Sequence, residues 1–195
     1  MSKRIALLSA VAFSALAITA SVVAPASAED KKMMKSEMSG EKTVMVGGAA
    51  MFPSKNIIQN AVNSKDHTTL VAAVKAAGLV DTLEGKGPFT VFAPTNAAFG
   101  KLPAGTVDTL VKPENKATLT KILTYHVVAG KLEASDLSDG KKLKTVEGEE
   151  LTVKKSGNSV MIVDAKGGSS TVTIPNVNQS NGVIHVVDTV LMPAS

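Results

Sequence analysis

Around Gly130 the chain changes its hydrophobic period, and no other feature limits its fold as much. Before that point apolar residues recur at helical spacing. Leu70, Val71 and Val74 do so within Thr69 to Ala77, as do Leu119, Ile122, Leu123 and His126 in the segment ending near Tyr125. Beyond it the apolar residues gather in short β-rich runs: Leu143 to Val146, Glu150 to Lys154, Val160 to Asp164, Thr171 to Val177 and Val183 to Leu191. Glu147-Gly148, Gly157-Asn158, Gly167-Gly168 and Asn181-Gly182 separate or flank them, supplying residues that tolerate the positive φ of tight hairpins. Helices first and a strand meander afterwards define an α+β domain.

Local signals refine this outline. Asn56 to Val62 reads as a short helix, and Asp66 or Thr68 is placed to cap the next one, which Gly78 stops with Leu79 as its apolar follower. Phe89 to Phe92 reads as a buried strand among the helices, ended by Pro94, after which Thr95 or Asn96 caps a turn of helix through Phe99. Thr106 to Val111 reads as a further short helix. Pro113 opens the helix that runs to Tyr125. Val183 to Val187 is apolar on both faces and therefore reads as a central strand covered on both sides.

The chain has 195 residues and no cysteine, so it is long enough to bury a core without disulfides. Thiolate zinc sites, iron–sulfur clusters and thiol catalysis are excluded. With one Tyr, no Trp and 3% aromatic residues it also lacks a base-stacking platform for nucleic acid.

The amino terminus reads as an export signal. Lys3 and Arg4 precede an apolar stretch from Ile5 to Ala24, followed by Pro25 and the small-residue site Ala26-Ser27-Ala28. Residues 1–28 are thus a signal peptide whose removal leaves no stable membrane insertion. Without Lys3 and Arg4, the 21 basic residues become 19 against 17 acidic ones, a mature charge of +2 that offers no polyphosphate footprint. Residues 29–48 mix charges, Ser, Gly and Met without a period and read as a flexible tether, with the domain occupying residues 49–195. Within the tether, Met33, Met34 and Met38 are a weak candidate soft-metal site, since thioethers bind Cu(I), but their spacing is unspecific and a polar linker with incidental methionines is the favoured reading.

Catalytic signatures are missing: no Gly-x-Ser-x-Gly elbow, no phosphate loop, no complete dinucleotide fingerprint and no His-Glu-x-x-His. His67, His126 and His185 are isolated from one another and from second ligands. A triad of His185, Asp188 and a serine can be drawn, as it can from almost any chain. No cofactor is called for, and the chain does not read as an enzyme.

Three segments together resemble the fasciclin domain family. Phe89-Thr90-Val91-Phe92-Ala93-Pro94-Thr95-Asn96-Ala97-Ala98-Phe99 is similar to its first conserved block, Tyr125-His126-Val127-Val128 to its Tyr-His motif, and Asn181-Gly182-Val183-Ile184-His185-Val186-Val187-Asp188 to its second block. The resemblance implies a β-sandwich or wedge of short strands with a layer of several helices, used as an extracellular adhesion module. In animal members the Tyr-His region and an Asp-Ile pair before the second block are implicated in integrin binding. Here the second position reads Asn176-Val177, without the carboxylate that integrin-type metal coordination needs.

From the residues themselves, Thr95 is suited to capping, His126 to a packed helix face and His185 to a buried strand. Tyr125 is suited to anchor a partner, its ring packed and its hydroxyl outward. The sequence reading is therefore an exported, non-catalytic adhesion module that binds a protein or glycan at a cell surface or matrix. Tyr125, His126, Asn176 and Val177 are its candidate contacts. The competing reading is a periplasmic or secreted protein that binds a small ligand or metal. Amino-terminal sequencing of the exported protein is expected to begin at Glu29, and a mature chain that still carries Ile5 to Ala24 would reveal an anchor instead.

Overall fold

The computed structural model describes residues 42–194. The signal segment, its cleavage site at Ala28 and Met33, Met34 and Met38 lie outside the described residues.

A strand hairpin comes first among the described residues: β1 (Val44–Val46) pairs antiparallel with β2 (Ala49–Met51). Gly47 and Gly48 make its turn with φ of 57° and 75°, a pair of left-handed residues that matches strand twist. Val46 and Met51 are each 3% exposed. The tether drawn to residue 48 is therefore too long, because a strand of three residues leaves no readable alternation.

The helical part follows. Asn56 caps α1 (Ile57–Ala61) in a capping box with Gln59. A short 3₁₀ turn, Lys65–His67, leads into α2 (Thr68–Ala77), which stops at left-handed Gly78, where the Leu79 N–H reaches the Val74 carbonyl at 3.0 Å. Its start is not capped by Asp66 or Thr68. Instead Asn96 reaches across from the chain after the next strand: its Oδ1 accepts from the Thr69 N–H at 3.0 Å and its Nδ2 donates to the Lys65 carbonyl at 2.8 Å. After α3 (Val80–Glu84) comes β3 (Phe89–Pro94), and then α4 (Asn96–Gly100), capped by the Thr95 hydroxyl, which accepts from the Ala98 N–H at 3.2 Å. α5 (Thr106–Leu110) precedes a 3₁₀ turn at Pro113–Asn115. The α-helix expected from Pro113 begins only after that turn, as α6 (Lys116–Tyr125).

The strands β4 (Val127–Ala129), β5 (Lys142–Lys144), β6 (Glu150–Ser156), β7 (Ser159–Val163), β8 (Ser169–Gln179) and β9 (Gly182–Val187) complete one sheet with β3, in the order β4-β3-β9-β8-β7-β6-β5. Only β3 and β9 run parallel. A single bridge, Val128 to Thr145, with the Val146 N–H on the Val127 carbonyl at 2.8 Å, joins the two end strands and bends the sheet into a near-barrel wedge.

Strand alternation divides the interior in two. Val91, Ala93, Ile184 and Val186 face the helices, where Leu70, Val74, Leu119, Ile122 and Leu123 pack on them. On the opposite face Phe92 and Val187 join Tyr125, Leu137, Leu151, Ile162 and Leu191 inside the wedge. This is why β9 is apolar on both faces.

Asn181 and Gly182 do not provide the positive φ expected of them. Asn181 is 7% exposed and ties down two segments: its Oδ1 accepts from the Ile57 N–H at 3.1 Å, and its Nδ2 donates to the carbonyls of Leu83 at 2.6 Å and Gly85 at 2.9 Å at the end of α3. Gly182 is needed for close approach, since a Cβ there would lie 2.0 Å from the Phe89 carbonyl oxygen. Gly182→Ala is expected to lower stability by at least about 1–3 kcal/mol through the β3–β9 backbone shift it forces. Gly100→Ala, with nothing within 4 Å and no left-handed φ, should be neutral or mildly stabilising. Equal urea midpoints for the two variants would contradict this account.

Candidate functional site

A bulge in β8 builds the first part of the site. Register shifts there turn Asn176 to φ 56°, a conformation that Asn tolerates better than most side-chain-bearing residues. In that position its N–H donates to His185 Nδ1 at 3.3 Å, and its Oδ1 accepts from the Ala134 N–H at 2.7 Å. His185, fully buried, donates from Nε2 to the Leu132 carbonyl at 2.8 Å and stacks on Phe92 with ring centroids 5.7 Å apart. Nearby, the Thr90 hydroxyl donates to the Gly130 carbonyl at 2.6 Å and accepts from the Leu132 N–H at 2.9 Å. Thr90, His185 and Asn176 thus pin the loop that leaves β4 against the sheet.

The second part lies where α6 ends. His126 is 2% exposed; its Nδ1 donates to the Ile122 carbonyl at 2.8 Å and its Nε2 accepts from the Leu191 N–H at 2.9 Å. These partners define a neutral imidazole with the proton on Nδ1. Burial lowers its pKa to about 4, the Ile122 carbonyl acting more weakly in the opposite direction. Burial likewise lowers the pKa of His185. Tyr125 differs from the sequence expectation: its hydroxyl points inward, accepting from the Ala165 N–H at 2.9 Å and facing the Glu150 carbonyl at 3.5 Å, and the residue is 0% exposed. A ring enclosed by the wedge offers no surface to a partner, so Tyr125 is not an outward anchor.

The four candidate contact residues therefore do not form a surface. Tyr125, His126 and Val177 are buried, and the half-buried Asn176 commits its amide oxygen to Ala134. His126 and Val177 do meet, on the wall of an apolar cavity of about 40 Å³ between helices and sheet. His67 lines the same cavity with Ser64 Oγ 2.8 Å from its Nδ1, its own pKa lowered by burial. The cavity has room for little more than a few water-sized molecules.

Nor is the triad assembled, because both ring nitrogens of His185 are engaged elsewhere and Asp188 Oδ1 accepts from the Thr171 N–H at 2.9 Å. Among the described residues no three His, Cys, Asp or Glu side chains are grouped to hold a metal ion, and no helix is long and apolar enough to cross a membrane. Sequence reasoning did not identify Thr90 and Asn181 as buried polar links, or the half-buried Asn96 as a link to α2. Their only signal was a polar residue beside Pro, Gly or an apolar run.

Arrangement and contacts of this kind define a wedge whose motif residues hold its strands and loops together. Residues 65–193 match the Fasciclin domain family. The chain belongs to that family. It is 48% identical over 153 residues to protein sll1483 of Synechocystis, covering 78% of this chain and 82% of that one. Immunogenic protein MPB70 of Mycobacterium bovis is 42% identical over 68% of this chain and 66% of its own length. Cell surface glycolipoprotein MPB83 of the same species is 40% identical over 76% and 64%. Among solved structures, the FAS1 domain pair of the insect cell adhesion molecule fasciclin I superposes with a TM-score of 0.64 at 20% identity, covering 72% of this chain and 52% of that one. The α+β fasciclin fold is thereby shown.

The buried histidines give stability a definite pH dependence. An unfolded chain takes up a proton on His126 below pH 6.5, whereas the folded chain resists until about pH 4. Stability is therefore fully present above pH 6.5 and falls as the pH drops toward 4, by about 3 kcal/mol from His126 alone. Urea midpoints measured across that window should show this slope. His126→Ala should be less stable at neutral pH by about 1–3 kcal/mol, because Leu191 and Ile122 lose their partner, and its slope should be shallower. An unchanged slope would refute the assignment.

Proposed function

We propose that the protein is an exported, non-catalytic adhesion module that binds a protein or glycan at a cell surface or in matrix. Its membership of the Fasciclin domain family carries the reading. Relatives named as a cell surface glycolipoprotein and an insect cell adhesion molecule support it, as does the export signal at residues 1–28. The non-catalytic part rests on the histidines: His126 and His185 spend both ring nitrogens on structural hydrogen bonds and are held neutral by burial, which leaves neither to activate a nucleophile. Integrin-type recognition is not part of the proposal, since Asn176 stands where a carboxylate would be needed and turns its amide inward.

Deleting the gene should reduce attachment of the source cells to surfaces or to one another. Complementation with the mature chain should restore it, and chelation of divalent metal should not abolish it. Attachment unchanged by deletion on every surface tried would refute adhesion and favour small-ligand binding.

A further inference from the structure

Among the described residues one bridge closes the near-barrel, and beside it a groove stands open. In β5 hydrogen bonding to β6 alternates: the Thr145 N–H reaches the Glu149 carbonyl at 3.0 Å and the Val153 N–H reaches the Lys141 carbonyl at 2.8 Å. By that alternation the peptide groups of Lys142 and Lys144 turn away from β6, toward β4, where the Val128–Thr145 bridge engages the Lys144 carbonyl and the groups of Lys142 lie past it. Past the Val128–Thr145 bridge, β4 and β5 separate and leave a groove of about 440 Å³. Val128, Leu132 and Leu143 give it an apolar floor, while Lys141, Lys142 and Lys144 line its rim, with no acidic residue among its walls.

These lysines are only loosely committed. Lys142 lies 3.1 Å from Glu150, both side chains more than half exposed, and Lys141 donates to the Asp136 carbonyl at 2.7 Å. An exposed pair of this kind is worth little and gives way readily to a competing carboxylate.

We propose that this groove receives an extended acidic segment of a partner polypeptide, laid as an added strand along the outward edge of β5. The inference rests on the adhesion reading and names the partner's chemistry. The outward peptide group of Lys142, with the Lys144 N–H beside it, calls for a peptide backbone as its complement, which a glycan does not offer. Strand alternation sets the side-chain pattern. Residues beside the inward Leu143 are apolar and small, and those beside the outward lysines carry carboxylates. The lysines also explain how the open edge avoids pairing with copies of itself, since like charges would face each other there.

The test is fluorescence anisotropy of the mature protein with a labelled short peptide of alternating Glu and Val. The expected result is saturable binding that weakens as salt rises. Replacing Lys142 and Lys144 together by Ala should weaken it about three- to tenfold, the size that two exposed ion pairs supply. Ala129→Glu, at an exposed β4 position beside the groove, should weaken it further, with melting temperatures of all variants compared to the parent. Methylating alternate peptide nitrogens should abolish binding in one register and spare it in the other. Equal binding by both methylated peptides, equal binding by the lysine variant, or binding of heparin but not of the peptide would each overturn the proposal. Attachment retained by cells carrying the lysine variant would also overturn it, yet leave the adhesion reading intact, which only gene deletion tests.

Discussion

The parallel pairing of β3 with β9 is the contact on which most of the structure depends. It joins residues 89–94 to residues 182–187, bringing the first strand of the sheet beside the last. Such pairing requires a long crossover, here the whole of α4 to β8, and its closure entropy must be offset by dense burial on both faces. Val91, Ala93, Ile184 and Val186 supply one face and Phe92 and Val187 the other. The backbones approach so closely at Phe89 and Gly182 that no side chain fits between them.

Around this pair the polar groups act as struts between segments distant in sequence. Asn181 ties the β8–β9 turn to α1 and to the end of α3, and His126 ties α6 to the chain after β9. His185 and Asn176 fix the loop after β4. Each is a donor or acceptor, buried in all but the half-buried Asn176, whose loss strands its partner, so these links stabilise the fold and also select one arrangement of loops. Burial keeps the two histidines neutral and makes the fold sensitive to acid.

This arrangement separates scaffold from surface. Motif residues that look available for recognition are consumed inside the wedge, whereas the lysine-rimmed edge of β5 lies outside the family blocks and has exposed side chains and outward peptide groups. Under the proposed adhesion role, recognition on a barrel edge would need little reorganisation on binding.

Much of the fold was legible in the sequence because its signals are local. Gly78 stops α2 by its left-handed φ, Thr95 caps α4 through its own hydroxyl, and the two-sided apolar run at Val183 to Val187 requires a central strand. The α+β class and the burial of His126 follow from periodicity alone, since 3.6 and 2.0 residue repeats are properties of the backbone. What tertiary structure decided are contacts made by approach rather than by period. The inward hydroxyl of Tyr125, the capping of α2 by Asn96, the strand at Val44–Val46 and the groove beside β5 each depend on a neighbour many residues away. A side chain's direction into core or solvent is set by which element packs against it, and a single sequence carries period and local hydrogen bonding but not that neighbour.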